Sequence, residues 1–122
     1  MHYLSQDAEN YGVYMAVIDE AAASFLYVQY YAWNQLCQIH GLAVDPEVQR
    51  HGITSALVTR AEDFAKSKNA RGIYVDTPTL NSGGRKFYEA VEYRMGYIMP
   101  RYYEDQPDGV TYQKFFEAVK VE

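Results

Sequence analysis

An apolar strand pattern gives way to a helical pattern across one segment, LAVDPEVQRHGITSAL, which spans residues 42–57. The apolar run ends at Pro46, a polar loop leads from Gln49 to Gly52, and an amphipathic pattern begins at Ile53. In a strand–loop–helix unit, the loop N–H groups and the positive end of the helix macrodipole point at one place. The segment therefore predicts a site that binds phosphate groups.

Composition limits the classes of protein that fit this chain. Its 122 residues suit one domain, and 48% apolar with 22% charged residues is typical of a globular protein. The formal net charge of −5 argues against a nucleic acid partner, because nucleic acid phosphates require clustered Lys and Arg. No apolar run reaches the ~20 residues of a membrane span, and no secretion signal is visible, so we expect no membrane contact and a cytoplasmic location. The lone cysteine, Cys37, lies in an apolar context and is expected to be a buried, unreactive thiol.

The first half of the chain shows three strand patterns, at residues 11–19, 24–34 and 36–44, after a polar start that we expect to be a loose end. The second pattern places four aromatic residues on one face: Phe25, Tyr27, Tyr31 and Trp33. This face is either core beneath the helices or an exposed surface that pairs with a second copy of the chain.

The second half predicts helices at residues 53–68 and 85–95, and strands at residues 72–77, 98–103 and 110–116. A helix between the strands at 36–44 and 72–77 makes these two strands parallel, since such crossovers connect parallel neighbours. The expected fold class is therefore α/β, with a mixed, mostly antiparallel sheet and one parallel β-α-β crossover, in a single domain.

Three motifs in order give the chain, over residues 36–116, a resemblance to the GNAT superfamily of acyl-CoA N-acyltransferases. The family's phosphate loop reads Gln/Arg-x-x-Gly-x-Gly/Ala and stands here as QRHGIT, residues 49–54. Its Asn…Phe-Tyr helix is matched by Asn81, Phe87 and Tyr88. Its tail resembles RYYED, residues 101–105, followed by Asp108 and a closing strand.

The resemblance implies acetyl-CoA as co-substrate and assigns residues to its parts. Gly52 lets the backbone approach the pyrophosphate without an intervening Cβ. The pyrophosphate loop also includes Gln49, Arg50, His51, Ile53 and Thr54, of which the three polar residues before Gly52 contact the ligand or remain in solvent. The pantetheine arm would bind the backbone of Leu42 and Val44, with Asn81 near its far side. No metal is implied.

Tyr88 is the residue that the resemblance assigns to catalysis, as the donor of a proton to the departing thiolate. The base that accepts the amine proton is less defined. Gln38 stands near the position of a glutamate that some members use, and an amide cannot act as a base. His40, two residues further on the same strand, is the candidate base, with Asp76, Glu47 or an ordered water as alternatives.

The chain departs from the family pattern at three places. Thr54 replaces the second small residue of the loop. The spacing from Tyr88 to Gly96 predicts an extra helical turn over residues 89–95, which would move Tyr93 and Arg94 toward the acceptor. The family begins with a strand and two helices, whereas only about ten residues precede the strand pattern at residue 11. We therefore expect a shortened N-terminal region and a homodimer that covers the open edge of the sheet.

The leading hypothesis is an N-acetyltransferase that moves an acetyl group directly to a primary amine of a small molecule or peptide. The alternatives are an acyl-CoA-binding module with little or no turnover and a structural protein without a CoA site. Polyamines, aminoglycosides, amino acids and peptide N-termini all remain open as acceptors.

Overall fold

The computed structural model describes residues 2–19, 21–44 and 52–116. Seven strands in these residues form one sheet in the order β1-β2-β3-β4-β5-β7-β6, with two helices. The elements are β1 His2–Asp7, β2 Tyr11–Ile18, β3 Ala21–Tyr31, β4 Leu36–Val44, α1 Ile53–Ser67, β5 Gly72–Pro78, α2 Ser82–Ala90, β6 Arg94–Met99 and β7 Gly109–Phe115. Only β4 and β5 pair in parallel. The predicted fold class is confirmed.

The core lies between the sheet and α1. Apolar residues at spacings of three and four give this helix one buried face, which consists of Ile53, Leu57, Val58, Ala61, Phe64 and Ala65. That face packs against the inward residues of β2 to β5, which include Leu26, Val28, Ile39 and Ile73. Leu57 is fully buried, and truncating such a side chain to alanine typically costs about 2–5 kcal/mol.

Strands β4 and β5 diverge after four paired residues. Their parallel register runs from Leu36↔Gly72 to Ile39↔Val75, yet β4 continues to Val44 and β5 to Pro78. A bulge adds to the divergence, since Tyr27 of β3 faces Gly41 while Val28 faces Ile39, which leaves His40 as the extra residue. A gap therefore opens between the carboxyl ends of β4 and β5.

The sheet face opposite the helices carries no helix in the part of the chain that the structure describes. Phe25 is 41% exposed on this face, and Trp33, in the turn after β3, is 83% exposed. Tyr27 and Tyr31 are half-buried, because the strand alternation sends Leu26 and Val28 to the core instead. The interpretation of the aromatic face as core beneath the helices is therefore wrong.

Two predictions for the first half of the chain are also wrong. Residues 2–7 are not a loose end but strand β1, which pairs antiparallel with the edge of β2 from His2↔Val17 to Asp7↔Gly12. Strand β3 begins at Ala21, earlier than predicted, and ends at Tyr31. The chain turns there because the Asn34 side chain accepts a hydrogen bond from the Leu36 N–H and Gln35 adopts a left-handed φ of 60°.

The second helix is shorter at its C-terminal end than predicted. α2 ends at Ala90, and Glu92 adopts a left-handed φ of 72°, which stops the helix. The extra turn expected over residues 89–95 is therefore absent, and β6 begins at Arg94. Tyr93 points into the core rather than toward an acceptor, with 2% of its surface exposed.

Candidate active site

A cleft of about 540 Å³ opens where β4 ends and where both helices begin. Its lining consists of Leu42, Gly52, Thr54, Ser55, Asn81, Gly83, Gly84, Phe87 and Tyr88. Five predicted site residues thus meet in one cleft: Leu42, Gly52, Thr54, Asn81 and Tyr88. Three others, Gln49, Arg50 and His51, lie outside the described residues.

The start of α1 presents backbone donors to this cleft. Gly52 is the N-cap residue in a left-handed conformation, with φ 72° and ψ 7°. No described side chain caps this end, and no acidic residue occupies the first turn. A Cβ on Gly52 would meet nothing within 4 Å, so its backbone conformation, rather than local space, accounts for the glycine. The uncapped N–H groups and the helix macrodipole make this end suitable for an anion. Ile53 follows with a fully buried side chain, which leaves only its backbone for a ligand.

Strand β4 supplies another wall of the cleft. Leu42 is half-buried there, and β4 has no β5 partner beyond Ile39 in the described register. Leu42 and Val44 pair with Leu26 and Ser24 of β3 on the other side of the strand. An extended ligand thus has a free strand edge beside it.

Asn81 joins α2 to β5. Its Oδ1 accepts a 3.0 Å hydrogen bond from the Gly84 N–H, and its Nδ2 donates a 3.1 Å hydrogen bond to Thr77 Oγ1. Asn81 is therefore the N-cap of α2 and fixes that helix to the end of β5. This attachment positions Tyr88, seven residues further along the chain.

Tyr88 is held by aromatic rings, and its hydroxyl makes no hydrogen bond with any described residue. The ring is 6% exposed, stacks on Tyr112 at 5.8 Å and contacts Phe87 edge-on at 5.4 Å. Tyr112 is itself fixed, because its hydroxyl donates to Glu89 and accepts from Arg85. Burial, with a smaller effect of Tyr103, raises the pKa of Tyr88 to about 12. Tyr88 therefore keeps its proton at neutral pH and can serve as a hydrogen-bond donor.

His40, the candidate base, is not among the residues that line the cleft. It is exposed on the opposite face of β4, where its Nε2 lies 2.7 Å from Tyr31 Oη. Its ring is 5.7 Å from that of Tyr27. The structure thus separates His40 from the cleft that Tyr88 lines.

Sequence reasoning missed a polar network on the face that carries His40. Gln38 Nε2 donates to Asp76 Oδ2 at 3.2 Å, and Gln38 Oε1 accepts from Tyr74 Oη at 3.1 Å. Tyr102 Oη also donates to Asp76 Oδ2, at 3.2 Å. Burial raises the pKa of Asp76, against the opposing effects of the Tyr102 hydrogen bond and the His40 charge. The sequence analysis noted Gln38 and Asp76 separately, as the residue near a family glutamate and as an alternative base, but not their hydrogen bond.

The described residues contain neither a cluster of metal ligands nor a membrane-spanning helix. No group of three or more His, Cys, Asp or Glu in residues 2–19, 21–44 and 52–116 is arranged to hold a metal ion. No helix in these ranges is long and apolar enough to cross a membrane.

Comparison with known proteins places this site in context. The family model described as "Acetyltransferase (GNAT) family" matches residues 1–93. Streptothricin acetyltransferase of Streptomyces lavendulae is 29% identical over 92 residues, which cover 75% of this chain and 47% of that protein. The chain thus spans about half the length of the curated relative that it matches.

Two solved structures share the fold. Nourseothricin acetyltransferase superimposes with a TM-score of 0.82 at 20% identity, over 86% of this chain and 65% of that one. A Bacillus anthracis protein assigned as a streptothricin acetyltransferase, solved with acetyl coenzyme A, gives a TM-score of 0.80 at 23% identity, over 88% of this chain and 64% of that one.

Proposed function

The chain belongs to the GNAT acetyltransferase family, and from that premise we propose that it transfers the acetyl group of acetyl-CoA directly to a primary amine of a small molecule or peptide. One observation carries the proposal. The uncapped start of α1 at Gly52 and the unpartnered hydroxyl of Tyr88 line a single cleft beside the free edge of β4. An anion site, a path for an extended arm and a proton donor thus meet in one place.

In this proposal, acetyl-CoA lies along the cleft with its pyrophosphate at the start of α1. The N–H groups of Gly52, Ile53 and Thr54 hold the phosphates, with Gln49, Arg50 and His51 of the preceding loop as further contacts. The pantetheine arm hydrogen-bonds the free edge of β4 at Leu42 and Val44, as an added strand would. Asn81 lies on the far side of the arm, where its side chain keeps α2 in place.

The proposed reaction needs no covalent intermediate on the protein. The amine nitrogen attacks the thioester carbonyl carbon, the C–N bond forms, and the C–S bond breaks. Tyr88 gives its proton to the departing thiolate of CoA. Cys37 is fully buried, and burial raises its pKa to about 12, so this thiol is unsuited to act as a nucleophile.

We also propose His40 as the acceptor of the amine proton. Its imidazole is exposed, so it can take a proton from the amine through water rather than by direct contact. Because His40 lies on the face opposite the cleft, this role requires the acceptor amine to approach from that face.

The proposal extends to the acceptor class, the cellular location and the oligomeric state of the protein. The 29%-identical relative, a streptothricin acetyltransferase, favours a small-molecule acceptor over a peptide. One cysteine, buried and unpaired, suits the reducing cytoplasm. The exposed Phe25 and Trp33 favour a homodimer that covers the aromatic face.

Binding and turnover can be tested separately. Acetyl-CoA should raise the melting temperature of the wild-type protein, because a ligand that binds the folded state stabilises it by mass action. Release of free CoA thiol with a panel of amines then reports transfer. A thermal shift without thiol release would instead support the alternative of an acyl-CoA-binding module, and no shift would contradict both.

A charge placed in the cleft makes the binding test specific to this site. Thr54→Glu puts a carboxylate at the half-exposed start of α1, where it repels a pyrophosphate but suits the helix macrodipole. We expect this variant to fold as well as wild type and to lose the acetyl-CoA shift. Thr59→Glu adds the same charge at an exposed position of α1 outside the cleft, and it should retain the shift.

A further inference from the structure

We propose that Asp76 and the tyrosines around it form a subsite for a second ammonium group of the acceptor, so that the protein selects diamines over monoamines. This inference rests on the proposed acetyl transfer and names the class of acceptor. It is carried by four observations: the position of Asp76, its lack of a cationic partner, its aromatic surroundings, and its connection to Tyr88.

Asp76 lies immediately after the last paired residue of the β4–β5 register, Ile39↔Val75, where the two strands begin to diverge. Gln38 and Tyr102 both donate to its Oδ2, each at 3.2 Å. Its Oδ1 makes no hydrogen bond with any described residue. The two donors therefore orient the carboxylate and leave one oxygen available to a ligand.

No described lysine or arginine forms an ion pair with this carboxylate. Asp76 is half-buried, and the ion pair recorded among the described residues is a different one, Glu62–Lys114. His40 acts on Asp76 electrostatically, and its described hydrogen bond is with Tyr31 rather than with this carboxylate. Since a partly buried carboxylate loses hydration, a bound ammonium group would supply the missing partner.

Tyrosines surround the carboxylate. Tyr31, Tyr97 and Tyr102 act electrostatically on Tyr74, and Tyr102 also donates a hydrogen bond to Asp76. Tyr102 also contacts Tyr103 edge-on, with ring centroids 5.0 Å apart. Aromatic faces attract organic cations, and phenol oxygens accept N–H hydrogen bonds. This composition favours an ammonium group over an anion.

Tyr103 connects this subsite to the proposed reaction centre. Its ring contacts that of Tyr102, which donates to Asp76, and it interacts electrostatically with Tyr88 on the other side. A flexible acceptor that passes Tyr103 can present one nitrogen near Tyr88 and another at Asp76.

The chemistry decides which nitrogen Asp76 holds. A carboxylate next to an amine stabilises the ammonium form, and a protonated nitrogen has no lone pair with which to attack the thioester. Asp76 is therefore suited to the nitrogen that does not react. The reacting nitrogen must lose its proton elsewhere, which the two-site arrangement allows.

Cadaverine and pentylamine test the idea, because they share a carbon chain and differ in the second amino group. We expect wild-type kcat/KM for cadaverine to exceed that for pentylamine by about 10- to 100-fold, the usual range for one charge-assisted contact. Asp76→Asn should remove this preference, so that kcat/KM for cadaverine falls to about that for pentylamine. Asp63→Asn removes the same charge from an exposed position on α1 and should preserve the preference.

Two results would overturn the proposal. An equal loss with both amines in Asp76→Asn would mean that Asp76 acts on the reacting nitrogen, and an unchanged preference would mean that it holds neither. If Asp76→Asn does not fold, the subsite can be tested in the wild-type protein with tetramethylammonium as a competing cation. It must raise the KM for cadaverine and not that for pentylamine, and equal inhibition would contradict the subsite.

The subsite can be tested even if no amine is acetylated. In that case the proposed transfer fails, while calorimetric titration of cadaverine into the protein with CoA still measures binding. Wild type should bind cadaverine at least about tenfold more tightly than pentylamine, and Asp76→Asn should bind both equally. Equal affinities in wild type would reject the subsite on their own.

Discussion

The hydroxyl of Tyr93 donates a 2.8 Å hydrogen bond to Glu62 Oε2, which joins the segment after α2 to α1. The same carboxylate oxygen lies 3.1 Å from Lys114 Nζ on β7, and this ammonium group lies 5.1 Å from the centre of the Tyr93 ring. Three elements distant in sequence are thus held by one buried phenol, one carboxylate and one ammonium group.

The Tyr93–Glu62 contact predicts alkaline instability. Burial, followed by the Glu62 charge and hydrogen bond, raises the pKa of Tyr93 above its usual value. The folded state therefore keeps a proton that the unfolded state loses near pH ~10, so stability is complete below that pH and falls above it. We expect the free energy of unfolding to decline by up to about 1.4 kcal/mol per pH unit for this residue.

Urea denaturation at a series of alkaline pH values measures this slope. Tyr93→Phe should cost about 1–2 kcal/mol near neutral pH and give a shallower alkaline decline than wild type. Tyr3→Phe, at an exposed residue of β1, serves as the control and should follow wild type. Identical slopes for wild type and Tyr93→Phe would contradict the assignment.

Gly52 should be needed for its backbone conformation. With φ at 72°, an alanine at this position incurs the strain of the left-handed region, and we expect Gly52→Ala to destabilise the protein by about 1–2 kcal/mol. Gly83 offers a matched control, because a Cβ there also meets nothing within 4 Å but φ is not positive. Gly83→Ala in the first turn of α2 should stabilise by up to about 1 kcal/mol. Chemical denaturation gives both values, and a neutral Gly52→Ala would contradict the argument.

The parts of this fold that follow a local pattern could be predicted from the sequence. α1 and β4 begin and end within one residue of their predicted limits. Both follow local signals, since α1 has apolar residues at spacings of three and four and β4 is an apolar run before Pro46. Leu42, Gly52, Thr54, Asn81 and Tyr88, which the family resemblance assigned to one site, line one cleft.

The features that depend on distant partners could not be predicted. β1 is polar and forms by pairing with the edge of β2, and α2 stops where Tyr93 can reach Glu62, 31 residues earlier. The Gln38–Asp76 hydrogen bond joins residues 38 apart. Neither residue of that pair carries a local signal for the other, so their network appears only in three dimensions.

Asn81 should contribute to stability mainly as the cap of α2. Asn81→Ala loses the hydrogen bonds with Gly84 and Thr77, and we expect a cost of about 1–2 kcal/mol. Asn81→Asp keeps an acceptor for the Gly84 N–H and suits the helix macrodipole, but it cannot donate to Thr77, so its loss should be smaller. Urea denaturation separates the two. Equal losses would show that the Thr77 bond, rather than the cap, accounts for the effect.

Tyr88→Phe should separate proton donation from binding. The hydroxyl has no hydrogen bond with a described residue, so its removal should leave the melting temperature and the acetyl-CoA shift nearly unchanged. In the proposed reaction, loss of the proton donor should lower kcat by about 100-fold, with little change in the KM for acetyl-CoA. Tyr30→Phe removes a hydroxyl from a half-buried tyrosine outside the cleft and should keep the wild-type rate. A full rate in Tyr88→Phe would exclude the acid role, and a raised KM at unchanged kcat would assign the hydroxyl to cofactor binding instead.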